Sequence, residues 1–365
     1  MPRAASGKSF RGGSLEALFS LRAADAAPSL SVHEKDGAVR CLACGHRCLI
    51  RPGRRGVCKV RHNEAGKLRV PFGYVAGLQA DPVEKKPFFH VLPGSIALSF
   101  GMLGCDLHCG YCQNWMSSQA LREEDAGTEV RPMSAAEIAS AAVWSGARLV
   151  VSTYNEPLIT AEWAAAVFAE ARDRGLLCGF VSNGHATPEV LEYLRPVLDL
   201  CKVDLKSFDD RQYRRLGGRL APVLDTLERL AGMGVWVEVV TLLVPGFNDG
   251  EKELKAMAGF LAGLSPDIPW HVTAFYPQFR MTEPRPTTAA DLLRACDIGR
   301  DAGLRHVYAG NLPGRVGGRE NTLCGACGAL LVERRGFHVM RQRVNGGMCP
   351  DCGVSVPGRW VSRQA

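Results

Sequence analysis

Three cysteines stand close together in the stretch GCDLHCGYCQNW, which covers residues 104–115. Cys105, Cys109 and Cys112 follow the spacing C-x3-C-x2-C. Three thiolates can bind three irons of a cubane cluster, whose full thiolate ligation would require a fourth cysteine. The spacing therefore predicts a 4Fe–4S cluster with one iron left open to a substrate or cofactor. The alternatives are three cysteines that pack as small apolar residues and a zinc site that includes His108.

Four cysteines near the C-terminus form two C-x2-C pairs, each directly followed by a glycine. The pairs are Cys324 with Cys327 and Cys349 with Cys352. Two such pairs are typical of a tetrahedral site with four thiolates, as in zinc ribbons and rubredoxins. Because no ligand is missing, we predict a closed structural zinc site here, with rubredoxin-type iron as the alternative.

A third group of cysteines lies near the N-terminus, with the spacing C-x2-C-x3-C-x9-C. Its members are Cys41, Cys44, Cys48 and Cys58. This spacing differs from that of ferredoxin clusters, so both zinc and an auxiliary iron–sulfur cluster remain open for this module. His46 and His62 are additional candidate ligands.

From about residue 95, apolar runs of strand length alternate with stretches of helical periodicity. Helix signals include a capping box from Ser134 to Glu137 and a C-terminal glycine at Gly175. The predicted strands cover residues 95–100, 148–153, 177–182, 200–205, 235–243, 270–275 and 305–310. This alternation predicts an α/β fold in which a parallel sheet curls into a full or partial (β/α) barrel. The three clustered cysteines then follow the first strand, on the rim where such barrels carry their active sites.

The length of 365 residues and the hydrophobic content of 46% fit one large domain with smaller modules. We expect a loosely ordered N-terminus over residues 1–36, with a short helix signal in SLEALFSL, and then three units. These are a cysteine-rich module over 37–94, a core barrel over 95–312 and a zinc-ribbon-like module over 313–365.

Composition also limits the partners of the protein. No apolar stretch reaches the length of a membrane helix, and the N-terminus lacks the apolar core of a secretory signal. We therefore expect a cytoplasmic protein without a membrane partner. The formal net charge of +7 comes from scattered arginines, so a nucleic-acid partner is not expected.

The C-x3-C-x2-C motif after the first strand, with Tyr111 before the last cysteine, resembles the radical S-adenosylmethionine (radical SAM) superfamily. Within that superfamily, STYNEP, VSNG, CKVDLK and LLVPGFND are similar to segments of the glycyl-radical activating enzymes, such as pyruvate formate-lyase activating enzyme. The resemblance implies a 4Fe–4S cluster that cleaves S-adenosylmethionine reductively to a 5'-deoxyadenosyl radical. It also implies hydrogen abstraction from a protein or peptide, and an electron donor such as flavodoxin or ferredoxin.

The same resemblance implies which residues bind the cofactor. Glu156 takes the place of the glutamate in the Gly-Gly-Glu motif that contacts the methionine moiety, but Tyr154 and Asn155 replace the two glycines. Val181 stands where an aspartate is often found, which puts a cation site there in doubt. The expected cofactor-binding residues are Tyr111, Asn155, Glu156, Ser182, Asn183, Asp204, Lys206 and His271.

Simpler interpretations exist for three of these residues. Asp204 and Lys206 lie two residues apart on a strand and could form a partly buried ion pair, and His271 could be an ordinary core histidine. The segment EKKPFFH, which contains Glu84, Lys85, Lys86 and His90, is expected to be a solvated turn.

The three cysteine groups together, from about residue 39 to 361, resemble the AmmeMemoRadiSam-system radical SAM enzymes. These are named for occurring beside Memo-type and AMMECR-type proteins, which become candidate partners. Two further functions remain as alternatives: radical modification of a small metabolite or nucleic acid, and a non-enzymatic zinc-ribbon binding protein.

Overall fold

The computed structural model of the chain describes residues 8–9 and 22–361. The helix signal in SLEALFSL lies outside these residues. In the N-terminal part, strands β2, β7 and β6 form one antiparallel sheet, and β3, β4 and β5 form another. The strands are β1 Lys8–Ser9, β2 Ala23–Asp25, β3 Ser31–His33, β4 Val39–Cys41, β5 Leu49–Ile50, β6 His62–Glu64, β7 Lys67–Pro71 and β8 Tyr74–Val75.

Order begins earlier in the chain than the sequence suggested. Residues 22–37 contain β2, β3 and two short 3-10 helices, Pro28–Leu30 and Lys35–Gly37. Leu30 is fully buried and belongs to the main hydrophobic core. The expectation of a loosely ordered segment up to residue 36 is therefore wrong for its second half, because one leucine and strand pairing with β7 tie it to the rest of the molecule.

The centre of the molecule is an eight-stranded sheet in the order β17-β16-β15-β14-β13-β12-β10-β9. The strands from β10 to β17 in this sheet run parallel, and β9 pairs antiparallel with β10 at one edge. The strands are β9 Gly77–Pro82, β10 Ile96–Gly101, β12 Ala147–Ser152, β13 Leu177–Ser182, β14 Leu200–Asp204, β15 Trp236–Leu243, β16 Trp270–Ala274 and β17 Val307–Gly310. A separate strand, β11 at Glu129–Pro132, pairs with β1 and β8.

Helices connect the parallel strands and cover the sheet. They are α1 Trp115–Ser118, α2 Ala135–Trp144, α3 Ala161–Arg172, α4 Pro188–Leu194, α5 Asp210–Arg215, α6 Leu220–Gly232, α7 Glu251–Leu264 and α8 Ala289–Asp301. The capping box is present at the start of α2, where Ser134 Oγ accepts from Glu137 N at 3.2 Å and Glu137 Oε2 accepts from Ser134 N at 2.7 Å. Gly175 follows α3 with a φ of +72°, as a left-handed cap requires.

The predicted α/β fold is confirmed, and each predicted strand overlaps an observed one. Sequence analysis missed β9, whose residues GLQADP form no apolar run. An edge strand has a neighbour on one side only and stays partly exposed, so it needs no such run. No helix among the described residues is long and apolar enough to span a membrane.

The C-terminal part forms a small antiparallel sheet in the order β18-β19-β20. Its strands are β18 Thr322–Leu323, β19 Leu330–Arg335 and β20 His338–Gln342. A separate small core lies beneath them, built on Leu331 and Val332, with Cys324 and Cys349 at its edge.

Candidate active site

A cavity of about 450 Å³ lies at the carboxyl ends of the parallel strands. The parallel arrangement brings the residues that follow each strand to this one edge of the sheet. Every residue predicted for the cluster and the cofactor lines the cavity. They are Cys105, Cys109, Tyr111, Cys112, Asn155, Glu156, Ser182, Asn183, Asp204, Lys206 and His271.

The three cysteines lie in the loop between β10 and α1. Leu107 N donates to Cys105 Sγ at 3.3 Å, and Cys112 Sγ lies 3.2 Å from Ser118 Oγ. All three thiols line the cavity, where each thiolate could bind a different iron of one cluster.

Gly104 lets this loop pass close to the N-terminal part of the chain. Its φ is +91°, and a Cβ atom there would lie 2.7 Å from Val60 Cγ1. A side chain at this position would push the cluster loop away from the residues behind it.

Glu156 is buried and accepts three hydrogen bonds from the protein. Its carboxylate accepts from Ser182 Oγ at 2.6 Å, from Asn183 N at 2.8 Å and from Leu158 N at 3.1 Å. Burial and the neighbouring Asp106 carboxylate raise the pKa of Glu156 to about 8, although the three donors oppose this rise. Three predicted residues, Glu156, Ser182 and Asn183, thus form one hydrogen-bonded unit on the cavity wall.

The two residues that replace the glycines before Glu156 differ in their roles. Tyr154 has a φ of +71°, a conformation that glycine adopts without strain and that a tyrosine adopts at a cost. Its hydroxyl accepts from Lys86 Nζ at 3.3 Å. Asn155 holds the start of the cluster loop, since its Oδ1 accepts from Met102 N at 2.9 Å.

Asp204 and Lys206 form an ion pair on the cavity wall, at 3.1 Å. A second lysine that sequence analysis did not single out, Lys202, contacts the same carboxylate. Burial opposes ionisation of Asp204, but the two lysines outweigh it and lower its pKa to about 2. The wall therefore carries a fixed anion between two ammonium groups, with a net positive charge facing the cavity.

His271 lies on β16, and its Nε2 is 2.6 Å from Glu238 Oε2. Glu238 is fully buried and also accepts from Phe89 N at 3.0 Å and His90 N at 2.9 Å. Burial alone would raise the pKa of Glu238, but the hydrogen bond and charge of His271 lower it to about 2. Glu238 therefore orients a ring that borders the cavity.

The expectation that EKKPFFH forms a solvated turn is wrong. Glu84 and His90 are fully buried and Lys86 is 4% exposed. His90 Nε2 lies 2.6 Å from Tyr308 Oη, and Arg334 Nη2 donates to Phe89 O at 2.7 Å. The polar residues of this segment hold the C-terminal sheet against the barrel, a role that no local sequence signal reveals.

Cys324, Cys327, Cys349 and Cys352 come together as the sequence predicts. The ligand atoms of all four lie within 4.8 Å of one another, with Cys324 Sγ 3.7 Å from Cys352 Sγ and Cys327 Sγ 3.8 Å from Cys349 Sγ. A tetrahedral ion with Zn–S bonds of about 2.3 Å places its sulfurs about 3.8 Å apart. The four thiols thus fit a closed zinc site.

The N-terminal cysteines do not form a second group of this kind among the described residues. Of the four, Cys44 alone belongs to a compact set of candidate ligands, which it forms with Asp106 and His185. Asp106 and His185 were missed because their partners are distant in sequence, and Cys41, Cys48 and Cys58 lie outside this set.

Comparison with known proteins gives the family. Residues 101–259 match the radical SAM superfamily. An uncharacterized protein of Methanocaldococcus jannaschii is 35% identical over 325 residues, which cover 88% of this chain and 96% of the relative. The pyruvate formate-lyase-activating enzyme of Staphylococcus aureus is 28% identical over 174 residues, which cover 44% of this chain and 67% of that enzyme.

Among solved structures, a domain of a pyruvate-formate lyase-activating enzyme from Bacteroides vulgatus is 21% identical. The match has a TM-score of 0.40 and covers 44% of this chain and 98% of that domain. By these matches, residues 101–259 are a radical SAM domain, and the chain as a whole belongs to the same family as the Methanocaldococcus jannaschii protein.

Proposed function

We propose that this protein is a radical SAM enzyme that abstracts hydrogen from a protein or peptide, in the manner of the activating enzymes. The observation that carries the proposal is the position of Cys105, Cys109 and Cys112 at the mouth of a cavity that also holds the expected cofactor residues. When both are bound there, the 4Fe–4S cluster supplies the electron for reductive cleavage of S-adenosylmethionine to a 5'-deoxyadenosyl radical.

The residues of the chain have separate tasks in this proposal. The three thiolates hold three irons, and no further cysteine within residues 22–361 lines the cavity, which leaves one iron for the cofactor. Ser182 Oγ donates to the carboxylate of Glu156, and Asn155 Oδ1 accepts from Met102 N at the start of the cluster loop. Tyr111 is buried with a hydroxyl that has no hydrogen-bond partner among the described residues, as expected of a group that awaits a ligand.

The border of the cavity supports a peptide substrate. Part of the border comes from the C-terminal module, where Phe337 lines the cavity and is 42% exposed. This apolar side chain offers a contact for such a substrate.

The proposal includes partners and a location. A flavodoxin or ferredoxin would supply the electron, and the protein would act in the cytoplasm. The arrangement of the three cysteine groups favours an AmmeMemoRadiSam-type role, with Memo-type and AMMECR-type proteins as candidate partners.

Deuterated candidate substrates test the substrate class: deuterium should appear in 5'-deoxyadenosine. Label that arrives from a small metabolite and from no protein would contradict the peptide substrate and leave the radical chemistry intact.

The cluster assignment is tested by changing each cysteine of the motif. We expect Cys105→Ala, Cys109→Ala and Cys112→Ala to abolish formation of 5'-deoxyadenosine by anaerobically reconstituted, chemically reduced protein, since each thiolate holds one iron. The control is Cys296→Ala, because Cys296 is buried on α8 and does not line the cavity. Persistent 5'-deoxyadenosine in the three motif variants would contradict the proposal.

A further inference from the structure

Three side chains of the kinds that bind metal ions lie close together behind the cluster loop, outside the cavity. Cys44 comes from the N-terminal module, Asp106 directly follows the first cluster cysteine, and His185 follows β13. Their candidate ligand atoms all lie within 4.8 Å of one another, and all three residues are buried. A thiol, a carboxylate and an imidazole from three distant parts of the chain thus share one small volume.

Asp106 is a buried carboxylate whose ion-pair partner among the described residues is a histidine. It is 0% exposed, and among the described residues no lysine or arginine forms an ion pair with it. Its oxygens accept from Asn183 Nδ2 at 2.8 Å and contact His185 Nδ1 at 3.1 Å. Glu156, a second buried carboxylate, lies in the same hydrogen-bonded unit through Asn183. Buried carboxylates are usually paired or coordinate a metal, so Asp106 is a suitable metal ligand.

One ring nitrogen of His185 also lacks a hydrogen-bond partner among the described residues. The histidine is 1% exposed, and its Nε2 has no hydrogen-bond partner in the part of the chain that the structure describes. Gly45, next to Cys44, packs directly on the ring: Gly45 N donates to His185 O at 2.8 Å, and a Cβ at residue 45 would lie 2.9 Å from Nε2. A buried imidazole beside a carboxylate and a thiol, with one nitrogen unpartnered, is typical of a metal-binding histidine.

We propose that Cys44, Asp106 and His185 bind one zinc ion through the thiolate, the carboxylate and a ring nitrogen. Thiolate, imidazole and carboxylate are the three ligand types that zinc takes in proteins. Among the described residues, Nε2 is the ring nitrogen of His185 without a partner, because Nδ1 lies 3.1 Å from Asp106 Oδ2. The ion joins the N-terminal module to the residue beside Cys105.

The zinc content of full-length protein purified without oxygen tests this site. We expect Cys44→Ser and His185→Gln each to lose one equivalent of zinc relative to wild type, measured by mass spectrometry of the metal. Cys48→Ser and His306→Gln are the controls. Cys48 lies outside the set, and the buried Nε2 of His306 has neither a hydrogen-bond partner nor such a set of ligands around it in the described part of the chain. Unchanged zinc in both test variants, or an equal loss in Cys48→Ser, overturns the proposal.

X-ray absorption at the zinc edge of wild-type protein provides a test that needs no variant. The proposed site adds nitrogen or oxygen neighbours at about 2.0–2.2 Å to sulfur neighbours at about 2.3 Å. A first shell of sulfur alone would mean that the C-terminal thiolates, or a four-thiolate N-terminal module, hold all the zinc, and would overturn the proposal. Both readouts are independent of S-adenosylmethionine cleavage, so they stand or fall separately from the proposed function.

Discussion

At the scale of single residues, the cavity wall is built from polar side chains that are paired before any ligand is added. Asp204 lies between Lys202 and Lys206, and Glu238 takes its hydrogen bonds from His271 and from the backbone of the segment ahead of β10. Such pairs hold side chains in fixed positions. They also make stability depend on pH wherever folding shifts a pKa.

Glu238→Gln should reveal this dependence. The folded-state pKa of Glu238 is lowered from 4.5 to about 2, so ionised Glu238 stabilises the fold above pH 4.5 and this contribution disappears as the pH falls toward 2. The shift corresponds to about 3 kcal/mol. We expect the variant to be less stable than wild type by about that amount near neutral pH, and the difference to shrink in acid.

Urea unfolding at a series of pH values measures this effect. Glu228→Gln is the control, because Glu228 is exposed on α6 and its replacement should leave the pH dependence unchanged. The difference in unfolding free energy between wild type and Glu238→Gln should therefore depend on pH. If it stays constant from neutral pH down to pH 2, ionisation of Glu238 does not stabilise the fold.

At the scale of elements, the C-terminal sheet combines a small core with four clustered cysteines. β18, β19 and β20 are short, and the apolar cluster beneath them is small. Small modules of this kind commonly take their folding free energy from a bound metal. The same sheet contributes Gly336 and Phe337 to the border of the cavity.

Cys349→Ala should release one zinc and loosen this sheet while the barrel keeps its cluster. We expect limited proteolysis to cut the variant after about residue 310, where β17 ends at Gly310, and a chromogenic chelator to detect less zinc. Cys296→Ala again serves as the control, because Cys296 packs in α8 and binds no metal in this proposal. Protease resistance equal to that of wild type would contradict a structural metal site.

At the scale of the whole molecule, a buried arginine ties each cysteine-rich module to the barrel. Arg61 of the N-terminal part pairs with Glu162 of α3 at 2.6 Å, with 1% and 6% of the side chains exposed. Arg334 on β19 lies 3.5 Å from Glu84, and both side chains are fully buried. Breaking one partner of such a pair costs more than replacing both, because it leaves the other charge buried and unpaired.

Arg61→Met should therefore destabilise the protein by about 3–5 kcal/mol in urea unfolding followed by tryptophan fluorescence. The double variant Arg61→Met/Glu162→Leu should recover much of this loss. Arg229→Met is the control, since its partner Asp225 is 2.8 Å away on the surface and exposed pairs contribute little. If the double variant loses as much stability as the two single variants together, an unpaired buried charge is not the cause of the loss.

The sequence by itself determined the features that depend on neighbouring residues. The cysteine spacing, the alternation of strands and helices and the capping box at Ser134 are periodic or local, so they identified the α/β fold and the face on which Cys105, Cys109 and Cys112 lie. A motif at the end of a parallel strand must lie at the carboxyl edge of the sheet. The candidate cofactor residues belong to such motifs, so that edge could be predicted as their position.

Only the tertiary structure decided which buried polar groups meet. Asp106 and His185 are 79 positions apart, and Phe89 and Arg334 are 245 positions apart. No periodicity in the sequence connects such partners, and a polar segment such as EKKPFFH has the composition of a surface turn until its partners arrive. Burial of a charged or polar group becomes favourable only when the fold supplies a specific partner, and that partner is chosen by packing across the whole chain.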